Sequence, residues 1–153
     1  MAKTLFLIED DKALIETISE FLRSKGYIIE TSYNGEEALK MLPVVRPDLI
    51  LLDLILPEMN GIDFLKKIQL DNTEFANIPV LVLTNLQGDE ETFQKLGLKI
   101  DGYFIKANTS LEELSEKIKD ALFEKVGIKV HGYLIKSNIS LAELHNKIKE
   151  ILA

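Results

Sequence analysis

The chain has 153 residues, of which 46% are hydrophobic and 28% are charged, so we expect one domain of ordinary size and exclude bulk disorder. Its 25 acidic and 18 basic side chains give a formal charge of −7, which disfavours nucleic acid and anionic membranes as partners. Because cysteine is absent, disulfides, thiolate zinc sites and cysteine nucleophiles are excluded.

The N-terminus has only the short apolar run 5–8 before the acids Glu9, Asp10 and Asp11, which is too short for a signal peptide. No stretch approaches the roughly 20 apolar residues of a membrane-spanning helix. We therefore expect a cytoplasmic protein without a membrane partner.

Short apolar runs alternate along the chain with segments of helical spacing. The runs are residues 5–8, 49–52 and 80–83, with a weaker one at 27–29. They lack the alternation of half-exposed strands, which is typical of strands covered on both faces. Helical patterns fall at 12–25 and at about 35–42, 62–70 and 88–96. This order predicts an α/β fold in which a doubly wound parallel sheet lies between two layers of helices.

The last third of the chain contains a tandem repeat with a period of 30 residues. Residues 93–122 align without a gap with residues 123–152, and 17 of the 30 positions are identical, where chance gives about two. Each copy has the pattern of one βα unit, with a strand at about 102–106 or 132–136, a serine cap and an amphipathic helix. We expect a single domain over 1–153, with a core at 3–122 and a duplicated βα unit at 123–153.

Only one of the two copies can follow the fourth strand into the fifth position of the sheet. Placing the second copy there would loop out 30 residues and expose apolar side chains, so the first copy, which carries Lys106 where the second carries Lys136, is expected to occupy it. The second copy would then add a sixth parallel strand and a helix at 140–152. The alternatives are that it pairs with a second chain in a homodimer, or that the repeat was engineered.

Polar side chains follow four of the predicted strands, at the point where each strand ends. Glu9, Asp10 and Asp11 follow the first run, Asp53 follows 49–52, Thr84 follows 80–83 and Lys106 ends the strand of the first copy. Taken singly, none of these residues requires a functional explanation, because acids and lysines at strand ends are usually solvated and Asp10 or Asp11 could simply cap the first helix. Together they would meet at one edge of a parallel sheet, where clustered carboxylates repel one another unless a cation joins them. Oxygen ligands of this kind are the set that Mg²⁺ prefers, so a divalent ion is expected.

This arrangement is suited to phosphoryl transfer onto Asp53. The ion and Lys106 would offset charge on the phosphoryl oxygens, and the Thr84 hydroxyl would donate a hydrogen bond to one of them. A carboxylate that attacks phosphorus gives an acyl phosphate, a labile anhydride that suits a reversible signal.

Two motifs resemble those of a known family. The segment Leu7-Ile8-Glu9-Asp10-Asp11 resembles the acidic-pair motif of response regulator receiver domains of two-component systems, and residues 53–61 resemble their phosphorylation motif. Thr84 and Lys106 lie at the family's spacing for its hydroxyl and lysine, with Tyr103 three residues before the lysine. The resemblance spans residues 3–122.

The resemblance implies a flavodoxin-like strand order of 2-1-3-4-5 and a role for each matching residue. Asp53 would be the phosphoacceptor, with Thr84 and Lys106 assisting and with Thr84 and Tyr103 as switch residues. Glu9, Asp10, Asp53 and the backbone carbonyl of Ile55 would hold Mg²⁺, while Asp11 would be a bystander. The chain departs from the family at Ala107, where proline is usual, and at Asn85, where a smaller residue is common.

The leading hypothesis is a stand-alone phosphoacceptor domain that receives phosphate from a histidine kinase or a histidine phosphotransfer protein. It would not be an enzyme beyond catalysing its own phosphoryl transfer and dephosphorylation, and its downstream partner would be an unidentified protein. The histidines His131 and His145 are disfavoured as internal phosphodonors because of their loop and polar surroundings in the sequence. The alternative is a non-switching or engineered interaction module whose duplicated unit extends the sheet or mediates dimerisation.

Overall fold

Strands and helices alternate through the part of the chain that the structure describes, which is residues 2–71, 73–125 and residue 149 of a computed structural model. The elements are β1 (Thr4–Ile8), α1 (Lys12–Ser24), β2 (Ile28–Ser32), α2 (Gly35–Val45), β3 (Leu49–Leu52), α3 (Gly61–Gln69), β4 (Val80–Thr84), α4 (Glu90–Lys95), β5 (Gly102–Ile105) and α5 (Leu111–Lys125). A short 3₁₀ turn, Lys106–Asn108, joins β5 to α5. Every predicted element within the described residues is present.

The five strands form one parallel sheet with the order β2-β1-β3-β4-β5. This confirms the predicted α/β class and the flavodoxin-like order 2-1-3-4-5. The predicted sixth strand and the helix at 140–152 lie outside the described residues. Within the described residues, no helix combines the length and the apolarity that membrane crossing needs.

The sheet is buried on both faces because successive strand residues point to opposite sides. Phe6 and Ile50 join the core under α2, α3 and α4, whereas their neighbours Leu5 and Leu51 join the core under α1 and α5. Fully burying one such side chain contributes about 1.5–3 kcal/mol to stability. The buried strands therefore fix the positions of the residues that follow them.

Several predicted boundaries differ from the observed ones for local reasons. The α2 helix continues through Pro43 to Val45 and ends at Arg46, which has the left-handed φ of 46°. Strand β2 extends to Ser32, beyond the predicted run 27–29. Its side chains alternate between buried and exposed, as is typical of an edge strand, so no continuous apolar run marks its full length. Helix α4 begins only at Glu90, because Asp89 is its cap and accepts a hydrogen bond from the Thr92 N–H.

Candidate functional site

The carboxyl ends of β1, β3, β4 and β5 bring the predicted site residues together. Backbone hydrogen bonds fix the first two: the Glu9 N–H donates to the Ser32 carbonyl over 3.0 Å, and the Asp53 N–H donates to the Ile8 carbonyl over 3.1 Å. Asp11 has another role, since its side chain caps α1 by accepting a 3.2 Å hydrogen bond from the Leu14 N–H. The acidic segment after β1 thus divides between a helix cap and the site.

Lys106 lies between two buried carboxylates. Its Nζ donates a 2.7 Å hydrogen bond to Asp53 Oδ2 and forms an ion pair with Glu9 Oε1. The side chains of Glu9 and Asp53 are only 2% and 6% exposed, and that of Lys106 is 17% exposed. In the described residues the first copy of the repeat therefore supplies the lysine at this position, while Lys136 lies outside them.

The pKa of Asp53 is lowered although burial acts to raise it. Hydrogen bonds from Lys106, from the Thr84 hydroxyl, from Glu9 and from the Ile55 N–H together outweigh the cost of burial. The Ile55 N–H donates to Asp53 Oδ1 over 3.2 Å. A role for the Ile55 carbonyl remains a prediction. Asp53 is consequently held as a carboxylate, the form in which it can act as a nucleophile.

The pKa of Glu9 is shifted in the opposite direction from that of Asp53. Burial raises its pKa to about 7, partly offset by Lys106 and reinforced by the nearby charge of Asp53. One ammonium faces two acids, and burial favours the protonated form of Glu9 more than that of Asp53. Its second oxygen, Oε2, accepts a 3.0 Å hydrogen bond from the Asp10 N–H.

Three carboxylates are placed so that they could hold a metal ion. Oxygen atoms of Glu9, Asp10 and Asp53 all lie within 4.8 Å of one another, with Asp10 exposed and the other two buried. A single lysine cannot neutralise three acids, and hard oxygen donors open to water on one side suit a divalent cation. The donor set therefore fits the predicted ion.

Thr84 and Tyr103 are linked through Leu86. Thr84 is fully buried at the end of β4, and its Oγ1 accepts a 3.3 Å hydrogen bond from the Leu86 N–H. The Tyr103 hydroxyl donates a 2.6 Å hydrogen bond to the Leu86 carbonyl, and its ring packs on Phe93 with centroids 5.9 Å apart. Burial raises the pKa of Tyr103, with a smaller contribution from the charges of Asp53 and Asp89.

Sequence reasoning missed three contributors to this region. The Leu86 backbone joins the two predicted switch residues, and a Cβ on Gly88 would lie 2.8 Å from the Tyr103 hydroxyl oxygen. A Cβ on Gly61 would lie 2.4 Å from the Asp53 carbonyl oxygen. Both glycines are visible in the sequence, but the sequence does not show which backbone or side-chain atoms lie against them. Asn85, noted as a departure, has an Oδ1 that accepts a 3.3 Å hydrogen bond from the Ala107 N–H.

Comparison with known proteins agrees with this geometry. Residues 5–119 match the model of the response regulator receiver domain family. The chain is 38% identical over 119 residues to the transcriptional regulatory protein CrdR of Helicobacter pylori, covering 78% of this chain and 54% of that protein. It is 32% identical over 124 residues to the polar-differentiation response regulator DivK of Brucella anthropi, covering 80% of this chain and 98% of DivK.

A solved structure is similar as well. A CheY-like response regulator receiver domain protein from Methanospirillum hungatei superposes with a TM-score of 0.73 at 25% identity, covering 83% of this chain and 98% of that one. The fold and the acidic site define a receiver-type regulatory domain, the class that acts as a phosphoacceptor switch. The chain belongs to the response regulator receiver domain family. It spans about half the length of several curated relatives that it matches.

Proposed function

We propose that the chain accepts a phosphoryl group on Asp53 in a two-component phosphorelay, with Mg²⁺ held by Glu9, Asp10, Asp53 and the Ile55 carbonyl. The observation that carries the proposal is the 2.7 Å contact between Lys106 Nζ and the buried carboxylate of Asp53. Burying an ionised acid and a lysine beside two further acids destabilises a fold. Such an arrangement is therefore more typical of a functional site than of a purely structural one.

The transfer would proceed by attack of an Asp53 carboxylate oxygen on the phosphorus of a phosphohistidine. The P–N bond breaks as the new O–P bond forms, and the imidazole leaves with its electron pair and is protonated from water. Lys106 would offset charge on the phosphoryl oxygens, and Thr84 would donate a hydrogen bond to one of them. When bound, Mg²⁺ would supply further charge neutralisation at those oxygens. Attack of water on the acyl phosphate would return Asp53, so the chain would also catalyse its own dephosphorylation.

The switch would operate through Thr84, Leu86 and Tyr103. A hydroxyl that turns toward a phosphoryl oxygen would move the backbone at Leu86, whose N–H bonds to Thr84. The Leu86 carbonyl also accepts the Tyr103 hydrogen bond, so the position of that ring would change with it. Phosphorylation at the sheet edge would thus be transmitted to the surface formed by α4 and β5.

The relatives support the assignment of partners by class. Their names describe response regulators and transcriptional regulatory proteins. The phosphodonor of this chain would be a histidine kinase or a histidine phosphotransfer protein, and its output a protein contact in the cytoplasm. The receiver core would span 3–122, with the duplicated unit at 123–153 available to that output or to a homodimer.

The test is to incubate the full chain with acetyl phosphate and Mg²⁺ and to weigh the intact protein. We expect the mass of one phosphoryl group to be added to the wild type and to Asp71→Asn, an exposed acid beyond the far end of α3. Asp53→Asn should gain none. Absence of phosphoryl from the wild type, or unchanged addition to Asp53→Asn, would refute the proposal.

A further inference from the structure

Strands β4 and β5 end side by side at the candidate site. Thr84 is the register partner of Ile105. Asn85 and Lys106 are therefore the next residues along the two strands. Asn85 Oδ1 accepts a 3.3 Å hydrogen bond from the N–H of Ala107, the residue after the site lysine. A side chain from the loop after β4 is thereby joined to the backbone beside Lys106.

The Ala107 N–H belongs to a turn that has no cap of its own. Residues Lys106–Asn108 form the 3₁₀ turn after β5, and Ile105, which precedes the turn, makes no side-chain cap hydrogen bond. The first N–H groups of a helical turn have no carbonyl partner within it, so their acceptors must come from elsewhere. For the Ala107 N–H that acceptor is Asn85 Oδ1. Asn85 thus does for this turn what an N-cap side chain does for a helix, but from the loop after the neighbouring strand.

The other end of the turn is closed by local hydrogen bonds. The Thr109 N–H donates to the Lys106 carbonyl over 3.4 Å, and the Thr109 hydroxyl donates to the Ile105 carbonyl over 2.8 Å. Both hydrogen bonds lie within residues 105–109, and neither uses the Ala107 N–H. The contact with Asn85 therefore adds a tie between the turn and the loop after β4.

The position of this turn affects where the lysine ammonium lies. Lys106 is the first residue of the turn, and its Nζ lies 2.7 Å from Asp53 Oδ2 and in an ion pair with Glu9. A lysine has a flexible four-carbon stem, so its ammonium is held precisely only when the backbone that carries the stem is held as well. A displacement of about 1 Å in a positioned group can slow a reaction about a hundredfold. Small movements of the turn should therefore change the rate of phosphoryl transfer.

We propose that Asn85 is a positioning residue for phosphoryl transfer, which holds the Lys106–Ala107 peptide so that the lysine ammonium faces Asp53. The inference rests on the proposed function of Asp53 and adds to it a residue that acts through Lys106. It also connects the two departures from the family pattern, at positions 85 and 107. The N–H at position 107, which a proline would lack, is the group that Asn85 binds.

The first test is a double-mutant cycle with Lys106 in the full chain. Asn85→Leu is close in size but removes the acceptor, and it should slow phosphoryl uptake from acetyl phosphate and Mg²⁺ about threefold to tenfold. With Lys106→Met already present, Asn85→Leu should slow uptake no further, because it acts through the lysine. Gln87→Leu, at another exposed position of the same loop, is the control and should match the wild type. A normal rate for Asn85→Leu, or an equal slowing in the Lys106→Met background, would overturn the proposal.

A second cycle removes the donor instead of the acceptor. Ala107→Pro has no N–H at position 107, so there is no hydrogen bond left for Asn85→Leu to remove. In the Ala107→Pro background, Asn85→Leu should therefore change the uptake rate less than about twofold. An undiminished effect there would show that Asn85 acts through some other contact, contrary to the proposal.

A further measurement is independent of phosphorylation. Exchange of the Ala107 N–H with water, followed by NMR, should become about threefold to tenfold faster in Asn85→Leu. It should stay near the wild-type rate in Asn85→Asp, which keeps a side-chain oxygen as acceptor. The Glu113 N–H, which donates to Ser110 Oγ over 3.1 Å, is the control and should exchange equally in all three proteins.

The two kinds of measurement separate the possible failures. A wild type that takes up no phosphoryl group refutes the proposed function of Asp53. Normal uptake by the wild type, with the Ala107 N–H exchanging no faster in Asn85→Leu, refutes only the role of Asn85.

Discussion

Lys106 Nζ lies 2.7 Å from Asp53 Oδ2 and also forms an ion pair with Glu9, so one ammonium lies between two buried acids. The acids respond differently to the shared cation. The pKa of Asp53 is lowered, although burial opposes this, because Lys106, Thr84 and the Ile55 N–H all donate to it. The pKa of Glu9 is raised to about 7 because burial dominates there. The site thus keeps one acid ionised and the other close to its titration point at neutral pH.

Replacing the shared cation should slow phosphorylation. Lys106→Met removes the ammonium that would offset charge on the phosphoryl oxygens, and we expect uptake from acetyl phosphate to slow by about 10-fold to 100-fold. The rate is measured from the intact mass over time. Lys117→Met, at an exposed position of α5, is the control and should match the wild type. Equal rates for both variants would contradict the role of Lys106.

The titration of Glu9 should appear in the pH dependence of stability. Between the ordinary pKa of 4.5 in the unfolded chain and about 7 in the folded chain, the folded state holds a proton that the unfolded state has lost. The free energy of unfolding that Glu9 contributes is therefore complete below the lower value and falls as the pH rises through the upper one, by up to about 3 kcal/mol.

The measurement is urea unfolding with a chelator present, at about pH 5 and about pH 8. Glu9→Gln has no proton to lose, so its stability should change less between the two pH values than that of the wild type. Glu16→Gln, on the exposed face of α1, should behave like the wild type. The assignment is wrong if Glu9→Gln retains the full pH dependence.

The sequence predicts the sheet well because burial on both faces leaves unbroken apolar runs. The runs at 5–8, 49–52 and 80–83 became β1, β3 and β4, which are the interior strands of the sheet within the described residues. The edge strand β2 was predicted too short, since Glu30 and Thr31 break its apolar run. The acids, Thr84 and Lys106 could be anticipated at the site because each lies at the carboxyl end of a strand or within two residues of it.

The contacts that join those residues could not be predicted in the same way. Thr84 accepts a hydrogen bond from the Leu86 N–H and Tyr103 donates one to the Leu86 carbonyl, and both are backbone groups that almost any residue type possesses. The division of roles between Asp10 and Asp11 depends on where α1 begins to within one residue. Such details are set by tertiary geometry that composition and periodicity do not encode.

The hydroxyl of Thr84 should help to keep Asp53 ionised. Thr84→Val retains the shape of this buried side chain but removes its hydrogen bond, so the pKa of Asp53 should rise. Thr84→Ser should leave that pKa closer to the wild-type value. The Asp53 carboxyl is followed by NMR as the pH is lowered in metal-free buffer. An identical titration in Thr84→Val and the wild type would show that the hydroxyl has no such role.

The position of the Tyr103 ring should depend on residue 88 being glycine, which has no Cβ. A Cβ there would lie 2.8 Å from the phenol oxygen, which already donates to Leu86 over 2.6 Å. Gly88→Ala should displace the ring toward solvent, so the pKa of Tyr103, which burial raises, should move back toward its ordinary value. Ultraviolet absorbance of the ionised phenol measures this. In a Tyr103→Phe background, Gly88→Ala should leave the absorbance titration unchanged, and a change there would assign the effect to another tyrosine.

The backbone conformation around Asp53 should require a glycine at position 61. Its N–H donates to the Leu54 carbonyl over 3.0 Å, and an added Cβ would lie 2.4 Å from the Asp53 carbonyl oxygen and 2.8 Å from Leu54 Cα. Both neighbours are backbone atoms and cannot move aside as a flexible side chain would. Gly61→Ala should therefore destabilise the fold by about 2–3 kcal/mol.

The same change should also slow phosphorylation of Asp53, because the displaced backbone is that of the nucleophile itself. Gly26→Ala is the matched comparison: its φ of +96° is strained for alanine, but a Cβ there meets nothing within 4 Å. It should cost about 1 kcal/mol and leave the uptake rate unchanged. Urea unfolding and the acetyl phosphate assay, applied to both variants, separate a general loss of stability from a local loss of function. If Gly61→Ala slows uptake no more than Gly26→Ala does, close approach at Gly61 does not position the phosphoacceptor.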